Sequence, residues 1–291
     1  MSVIIPTYKR AEMLPRAIKS CLSQTYKNVE VIVVDDNDPS SEWRDETEAI
    51  MQEFKDNPLV KYVKHKNNKN GSAARNTGIY AAKGEIITYL DDDDWYYPEK
   101  IKKQVDFLLA HPEHRAVYCG WRRYGDELPS AEGIVTEAVL SGQDIIITNS
   151  IMMWKLDTLS CGGWDESLCR HQEAALILNY TRNGGTFGRI EEILVEFDIS
   201  DRRNVLRADA NENVIYYLLN KYSDLIDRAE MQRKGARAYI YCGRYKAIFY
   251  SHIQSKKILK AIRRYFKFSY EFPFAFNKFL LLDLLKRFRR C

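Results

Sequence analysis

Ile86-Ile87-Thr88-Tyr89-Leu90-Asp91-Asp92-Asp93-Asp94 decides the reading of this chain: an apolar run of strand length empties into four consecutive acids. Val29-Glu30-Val31-Ile32-Val33-Val34, upstream, does the same into Asp35-Asp36-Asn37-Asp38-Pro39. Both runs are nearly continuous in apolar residues, as strands buried on two faces require. Working outward, Val3-Ile4-Ile5 is a strand closed by Pro6, and Met13, Leu14, Ala17, Ile18, Cys21 and Leu22 then recur at helical spacing. Glu42 to Phe54 and Ser72 to Ala82 read as further helices, with a strand over Leu59 to Val63 between them and a stop at Lys83-Gly84. Strands alternating with helices predict an α/β fold with a parallel, Rossmann-like sheet, since parallel neighbours need a crossover. Ligands of such sheets bind at the strands' carboxyl ends. Both acidic clusters fall there.

From about Pro98 the pattern changes. A helix to Leu109, a strand over Ala116 to Tyr124, a loop through Gly133, a run from Ile145 to Trp154, a Gly162-Gly163-Trp164 turn, a helix over Glu173 to Arg182 and a strand over Ile190 to Phe197 predict a mixed second half. The boundaries expected are a first domain at 1–204 and a helical region at 205–291, with helix over Ala210 to Tyr250.

At 291 residues with 45% hydrophobic and 29% charged, the chain can bury a core and is not of disordered composition. Its formal charge of +4 is too small to argue for nucleic acid. The charge is uneven, because the tail from Gln254 to Cys291 holds 11 Lys/Arg against Glu271 and Asp283, a net of +9. Six scattered cysteines (Cys21, Cys119, Cys161, Cys169, Cys242 and Cys291), without CxxC or zinc spacing, point to a reduced, cytoplasmic setting. The sequence shows neither a signal-peptide pattern nor an uncharged apolar run of spanning length.

Four adjacent acids after a buried strand repel one another, and a divalent cation relieves them. Hard carboxylate oxygens suit Mn or Mg, which take one or two carboxylates together with substrate phosphates. Asp35-Asp36 alone is an ordinary turn, and Arg75 at the start of its helix suits an anion or a base edge as well as open solvent.

Taken together, Ser2 to Arg10, Ser20 to Tyr26, Val31 to Asp36, Gly71 to Gly78 and Tyr89 to Asp94 resemble, in order, the motifs of family 2 glycosyltransferases. The resemblance implies the GT-A fold and a nucleotide-sugar donor. By motif position it implies that Pro6, Thr7 and Tyr8 line the nucleoside pocket, that Asp36 bonds the base, and that Arg75 and Asp92 help hold the nucleotide. Asp91 and Asp93 become the DxD pair, Asp93 on the metal and Asp91 on the metal or ribose, with Asp94 near the sugar. Gly162 to Leu168 with Gln172-Glu173 resembles the stretch that carries the catalytic base, which would be Glu173. The family more often has Asp there, so Asp165 is a second candidate. Trp164 is a candidate for stacking on an acceptor sugar or for burial, and Arg202 and Arg203 for clamping the diphosphate.

The activity expected is metal-dependent, inverting transfer from a UDP-sugar to a saccharide acceptor, lipid-linked in surface polysaccharide synthesis. Two alternatives stay open: a nucleotide-sugar binding protein without transfer activity, and a nucleotidyltransferase, which the missing glycine-rich N-terminal loop weakens. The tail interleaves Lys and Arg with Ile258, Leu259, Ile262, Phe266 and Phe268, the composition of a helix lying on an anionic leaflet, or of one packed on the core or on a second subunit. A peripheral protein at the inner face of the cell membrane is the expectation, without nucleic acid as partner.

Overall fold

A computed structural model describes residues 1–200 and 207–288, the side chains of 284–288 excepted. In chain order the elements are β1 (Ser2–Thr7), α1 (Leu14–Leu22), β2 (Glu30–Asp35), α2 (Glu42–Gln52), β3 (Val60–Lys64), α3 (Gly71–Ala81), β4 (Ile86–Tyr89), β5 (Trp95–Tyr96), α4 (Lys100–Ala110), β6 (Ala116–Arg122) and β7 (Asp126–Glu127). Then come α5 (Thr136–Ser141), a 3-10 turn at Thr148–Ser150, β8 (Met152–Trp154), α6 (Lys155–Ser160), α7 (Gln172–Arg182) and β9 (Phe187–Glu196). Five helices follow: α8 (Ala208–Lys221), α9 (Ser223–Gln232), α10 (Ala236–Gln254), α11 (Ile258–Glu271) and α12 (Pro273–Phe288).

The chain forms two compact units, Met1–Val135 with Ile146–Arg202, and Thr136–Ile145 with Arg203–Cys291. In the first, one sheet runs β3-β2-β1-β4-β8-β6-β9-β5, with β7 on β6. β3, β2, β1 and β4 are parallel, and β8 joins β4 antiparallel, so the sheet changes character where the sequence signals do. Alternation sorts the parallel strands' side chains: Val3, Ile5, Val31 and Val33 share a core with Leu14, Ile18, Ile101 and Val105 of α1 and α4. Ile4, on the other face, meets α3 so closely that a Cβ at Gly78 would lie 2.3 Å from its Cγ2. β1 is thus covered on both sides, and the carboxyl ends of β1, β2 and β4 are held in register.

The run Ile145 to Trp154 is not one strand. Ile147 to Ile151 turn through the 3-10 element, where Thr148, Asn149 and Ser150 are buried, and only Met152–Trp154 pairs. The helix read from Ala210 to Tyr250 is three helices, broken at Tyr222 and at the left-handed Gly235.

In the second unit α10 is the centre. Arg244 donates to the carbonyls of Val139 and Leu140 at 2.5 and 2.6 Å, adding side-chain donors to carbonyls in the last turn of α5. Those bonds explain why residues 136–145 belong with the C-terminal helices. Tyr245 stacks on Phe268 of α11 at 3.8 Å between ring centroids. Among the described residues no helix is long and apolar enough to cross a membrane.

Candidate active site

All four acids of the 91–94 run have protein partners, drawn from four segments of the chain. Asp91 accepts from Arg75 Nη2 at 2.6 Å, and its own amide donates to Asn149 Oδ1 at 2.8 Å. Asp92 accepts from Thr7 Oγ1 at 2.7 Å and from the Tyr8 amide at 3.4 Å. Asp93 pairs with Arg10 Nη1 at 2.6 Å, and the same nitrogen lies 3.5 Å from Asp92. Asp94 accepts from Asn149 Nδ2 and, at 2.7 Å, from the Asp198 amide. The loop after β1, α3, the 3-10 turn and the end of β9 therefore meet at the tip of β4.

Among the described residues Arg10 and Arg75 lie against this run of four acids, and the acids also crowd one another. Burial, and then the neighbouring Asp93 carboxylate, push the Asp92 carboxyl up to about 7. Burial, followed by Asp93 and Asp91, also raises Asp94 well above the ordinary carboxylate range. A site of crowded hard oxygens fits Mn or Mg, and Asp93 and Asp91, less deeply buried than Asp92 and Asp94, are the side chains able to hold it.

Asp36, at the end of β2, is buried. Its amide donates to the Thr7 carbonyl at 3.0 Å, and its carboxylate meets His65 Nδ1 at 2.7 Å, Asn68 Nδ2 at 2.9 Å and the Lys69 amide at 2.9 Å. His65 Nε2 lies 2.8 Å from Thr77 Oγ1 on α3. Pro6 is half-buried in β1, and Tyr8 is exposed. Lys9, next in line, has φ of 60°, a left-handed conformation uncommon for a non-glycine residue.

Arg75 is the hinge of the arrangement. Its Nη1 donates to Gln172 Oε1 at 2.9 Å while Nη2 holds Asp91, so the start of α7 is tied to the end of β4. Glu173 follows Gln172 in the first turn of α7, where the helix dipole favours a carboxylate. His171 before it is left-handed, with φ of 56°. The helix start that aims Arg75 is capped by Asn70, whose Oδ1 accepts from the Ala73 amide at 3.0 Å. Asn76, one turn on, is bonded through both side-chain atoms to the main chain of Trp164, at 2.8 and 2.9 Å.

Trp164 is 1% exposed, packed edge-on to Tyr89 at 4.8 Å and beneath the Arg75 guanidinium at 4.7 Å. Of the two readings, acceptor stacking and burial, this conformation is the buried one, with no face open to a sugar. Asp165 turns onto Ser167, accepting from its amide at 3.0 Å and its hydroxyl at 2.6 Å. Arg202 and Arg203 lie outside the described residues. Arg10, His65 and Asn149 were not singled out from the sequence, and only Arg10 sits inside a quoted motif.

Among the described residues the one set of three ligand-type side chains whose atoms all lie within 4.8 Å of one another is Asp209, Glu212 and His252 in the helical unit, not the 91–94 run. Lys257 and Lys260 bind Asp209 at 2.5 and 2.8 Å, and Arg264 lies 2.7 Å from Glu212. Three cations already answer its two acids, so it is an ion-pair node joining α8, α10 and α11.

The profile of glycosyl transferase family 2 matches residues 2–155, more than half of the chain and the part that builds β1 to β8. The chain belongs to glycosyl transferase family 2. Over 96 residues it is 42% identical to the GalNAc(5)-diNAcBac-PP-undecaprenol beta-1,3-glucosyltransferase of Campylobacter jejuni, covering 32% of this chain and 29% of that one. Over 108 residues it is 34% identical to the UDP-Glc:alpha-D-GlcNAc-diphosphoundecaprenol beta-1,3-glucosyltransferase WfaP of Escherichia coli, covering 37% and 41%. The chain thus spans less than half the length of these curated relatives. Among solved structures, the mannosyltransferase PcManGT of Pyrobaculum calidifontis, in complex with GDP-Man and Mn2+, superposes with a TM-score of 0.62 at 16% identity, covering 98% of this chain and 86% of that one. S. aureus TarS 1-349 in complex with UDP-GlcNAc does so with 0.60 at 14%, covering 86% and 80%. At these identities the likeness establishes the fold, which is GT-A.

Proposed function

We propose that this family 2 member is an inverting, metal-dependent transferase that moves a sugar from a UDP-sugar to a saccharide acceptor. The observation that carries the reading is Arg75, one guanidinium spanning Asp91 at the tip of β4 and Gln172 beside Glu173. It couples the donor-side acids to the segment that carries the candidate base.

In this reading Pro6, Thr7 and Tyr8 form the wall of the nucleoside pocket, and Asp36 meets the base. Asp36 is held for that task by His65, whose other nitrogen is fixed by Thr77. Arg75 and Asp92 secure the nucleotide, Asp91 serves the metal or the ribose, and Asp93 is the principal metal ligand. Bound there, Mn or Mg would neutralise the departing diphosphate. Arg10 and Arg75 add fixed positive charge beside the same oxygens, and Asp94, held by Asn149 and the Asp198 amide, shapes the sugar end. Glu173 takes the proton of the acceptor hydroxyl as it attacks the anomeric carbon from the face opposite the diphosphate. The C1–O bond to the diphosphate breaks with its electrons, and one displacement inverts the centre.

Both undecaprenol-type names among the relatives favour a lipid-linked acceptor. In this reading the protein acts at the inner membrane face as a peripheral component of surface polysaccharide synthesis. The test is a thermal-shift panel of nucleotide sugars with Mn, followed by transfer to short lipid-linked saccharides using the stabilising donor. A UDP-sugar that raises the melting point and yields a product of inverted configuration is expected. Stabilisation without transfer to any acceptor would leave a binding protein, and release of pyrophosphate from a nucleoside triphosphate a nucleotidyltransferase.

A further inference from the structure

Helix α11 carries apolar side chains on two separate faces, a division the amphipathic pattern alone does not show. Ala261 and Phe268 are buried, Phe268 against Tyr245. Ile258, Leu259, Ile262, Phe266 and Tyr270 point the other way and are exposed, Leu259 at 77%, Phe266 at 66% and Tyr270 at 88%. At about 100° per residue these five fall within an arc of roughly 120°. Phe274, 91% exposed at the start of α12, follows directly on them. Lys260, Arg263 and Lys267, all exposed, occupy the adjoining arc of the same helix.

We infer that this face of α11 docks on an anionic phospholipid surface. A single exposed Leu or Phe needs no explanation, but a continuous stripe of five on one helix face does. Its chemistry is that of an interfacial helix: aliphatic and aromatic side chains along one arc, with cationic stems beside them long enough to reach the headgroups. Charge decides the occupant. Two copies of a tail with a net of +9 repel, whereas an anionic leaflet attracts it. Glu271, at the end of the helix, lies 3.8 Å from Lys267, and Lys260 also meets Asp209, so neither acid stands alone against the lipid. The inference names the surface behind the membrane placement proposed above, and donor binding is measured separately so that the two can fail independently.

The experiment is flotation of the full chain with phosphatidylcholine vesicles, with and without phosphatidylglycerol, at low and high salt. Two variants accompany it: Leu259→Ser with Phe266→Ser and Tyr270→Ser, and Arg263→Glu with Lys267→Glu. The parent chain is expected on phosphatidylglycerol vesicles only, released by salt. The apolar variant should lose binding by at least tenfold, and the charge variant by about fivefold per unit of charge removed. All three should keep the same thermal shift with a UDP-sugar, since α11 is remote in sequence from the donor residues. Equal vesicle binding by the parent and the apolar variant overturns the inference, as does failure of the parent to float. So does sedimentation showing a parent dimer and an apolar-variant monomer with flotation unaltered, which would make the face an interface between copies. A parent that floats but binds no nucleotide sugar keeps the docking face and removes the transferase reading.

Discussion

Arg75 and Asp91 are joined at 2.6 Å, and the second arm of the same guanidinium reaches Gln172 at 2.9 Å, so one side chain fixes two edges of the candidate site. A planar fork can do this and a single ammonium cannot. Arg75→Lys should keep the Asp91 contact and lose the one to Gln172, lowering transfer at least tenfold. Arg75→Ala should cost about a hundredfold or more, as loss of a transition-state donor does. Steady-state transfer with the stabilising UDP-sugar checks both, and a lysine variant with parental activity would show that the bridge to α7 is dispensable.

Asp93 is the acid assigned to the metal. Asp93→Asn keeps the shape and removes the charge that Arg10 faces at 2.6 Å. The expected result is a Mn requirement raised beyond the roughly 10–100-fold that an outer-shell partner would cost. Titrating transfer against Mn measures it, and an unchanged half-saturating Mn concentration would falsify the assignment.

Glu173→Gln should remove the base and spare the donor. Transfer is expected to fall about 10²- to 10⁴-fold while the thermal shift with a UDP-sugar stays intact. Asp165→Asn is the companion measurement: Asp165 bonds Ser167 in a turn, so its loss should affect transfer far less. The reverse pattern would transfer the role to Asp165.

Much of this arrangement could be read from local pattern. The β-branched runs ending in Asp35-Asp36 and Asp91 to Asp94 identify parallel strands and the end at which they bind, because burial on both faces leaves a short-range signature. What could not be read are pairings set by distant residues. Arg10 meets Asp93 across 83 positions, and His65 braces Asp36 across 29. Arg244 draws residues 136–145 into the helical unit across about a hundred. Trp164 carries either reading in the sequence, and its packing on Tyr89 under Arg75 is a contact with residues 75 and 89 positions away that no local pattern announces.

Gly78 tests the packing that aims Arg75. Alanine would improve helix propensity by about 1 kcal/mol. Its Cβ, however, would lie 2.3 Å from Ile4 Cγ2, a fully buried side chain on β1. Overpacking costs about 1–3 kcal/mol, so the clash outweighs the propensity gain. Gly78→Ala should lower the urea midpoint with an unchanged m-value, and a raised midpoint would mean that α3 slides freely on the sheet.

Lys100 gives the pH dependence its sharpest test. It is fully buried, its Nζ lies 3.0 Å from Thr88 Oγ1 and 4.0 Å from the centre of the Tyr96 ring, and burial brings its pKa down to about 8. The folded state therefore releases this proton before the unfolded state does. Below pH 8 the fold carries the full cost of a buried ammonium. Between pH 8 and about 10.4, where the unfolded chain still binds the proton, stability rises with pH through this group. The shift corresponds to roughly 3 kcal/mol at most, partly offset in practice by the Thr88 hydrogen bond and the Tyr96 ring. Lys100→Met keeps the volume and removes the charge, so it should stabilise the protein by about 1–3 kcal/mol at pH 7. That gain should shrink to near zero by pH 10.5. Urea unfolding of both proteins across this range measures the difference. A variant less stable than its parent at pH 7, or a gain that does not decline with pH, would show that the ammonium is better satisfied in the core than its two contacts account for.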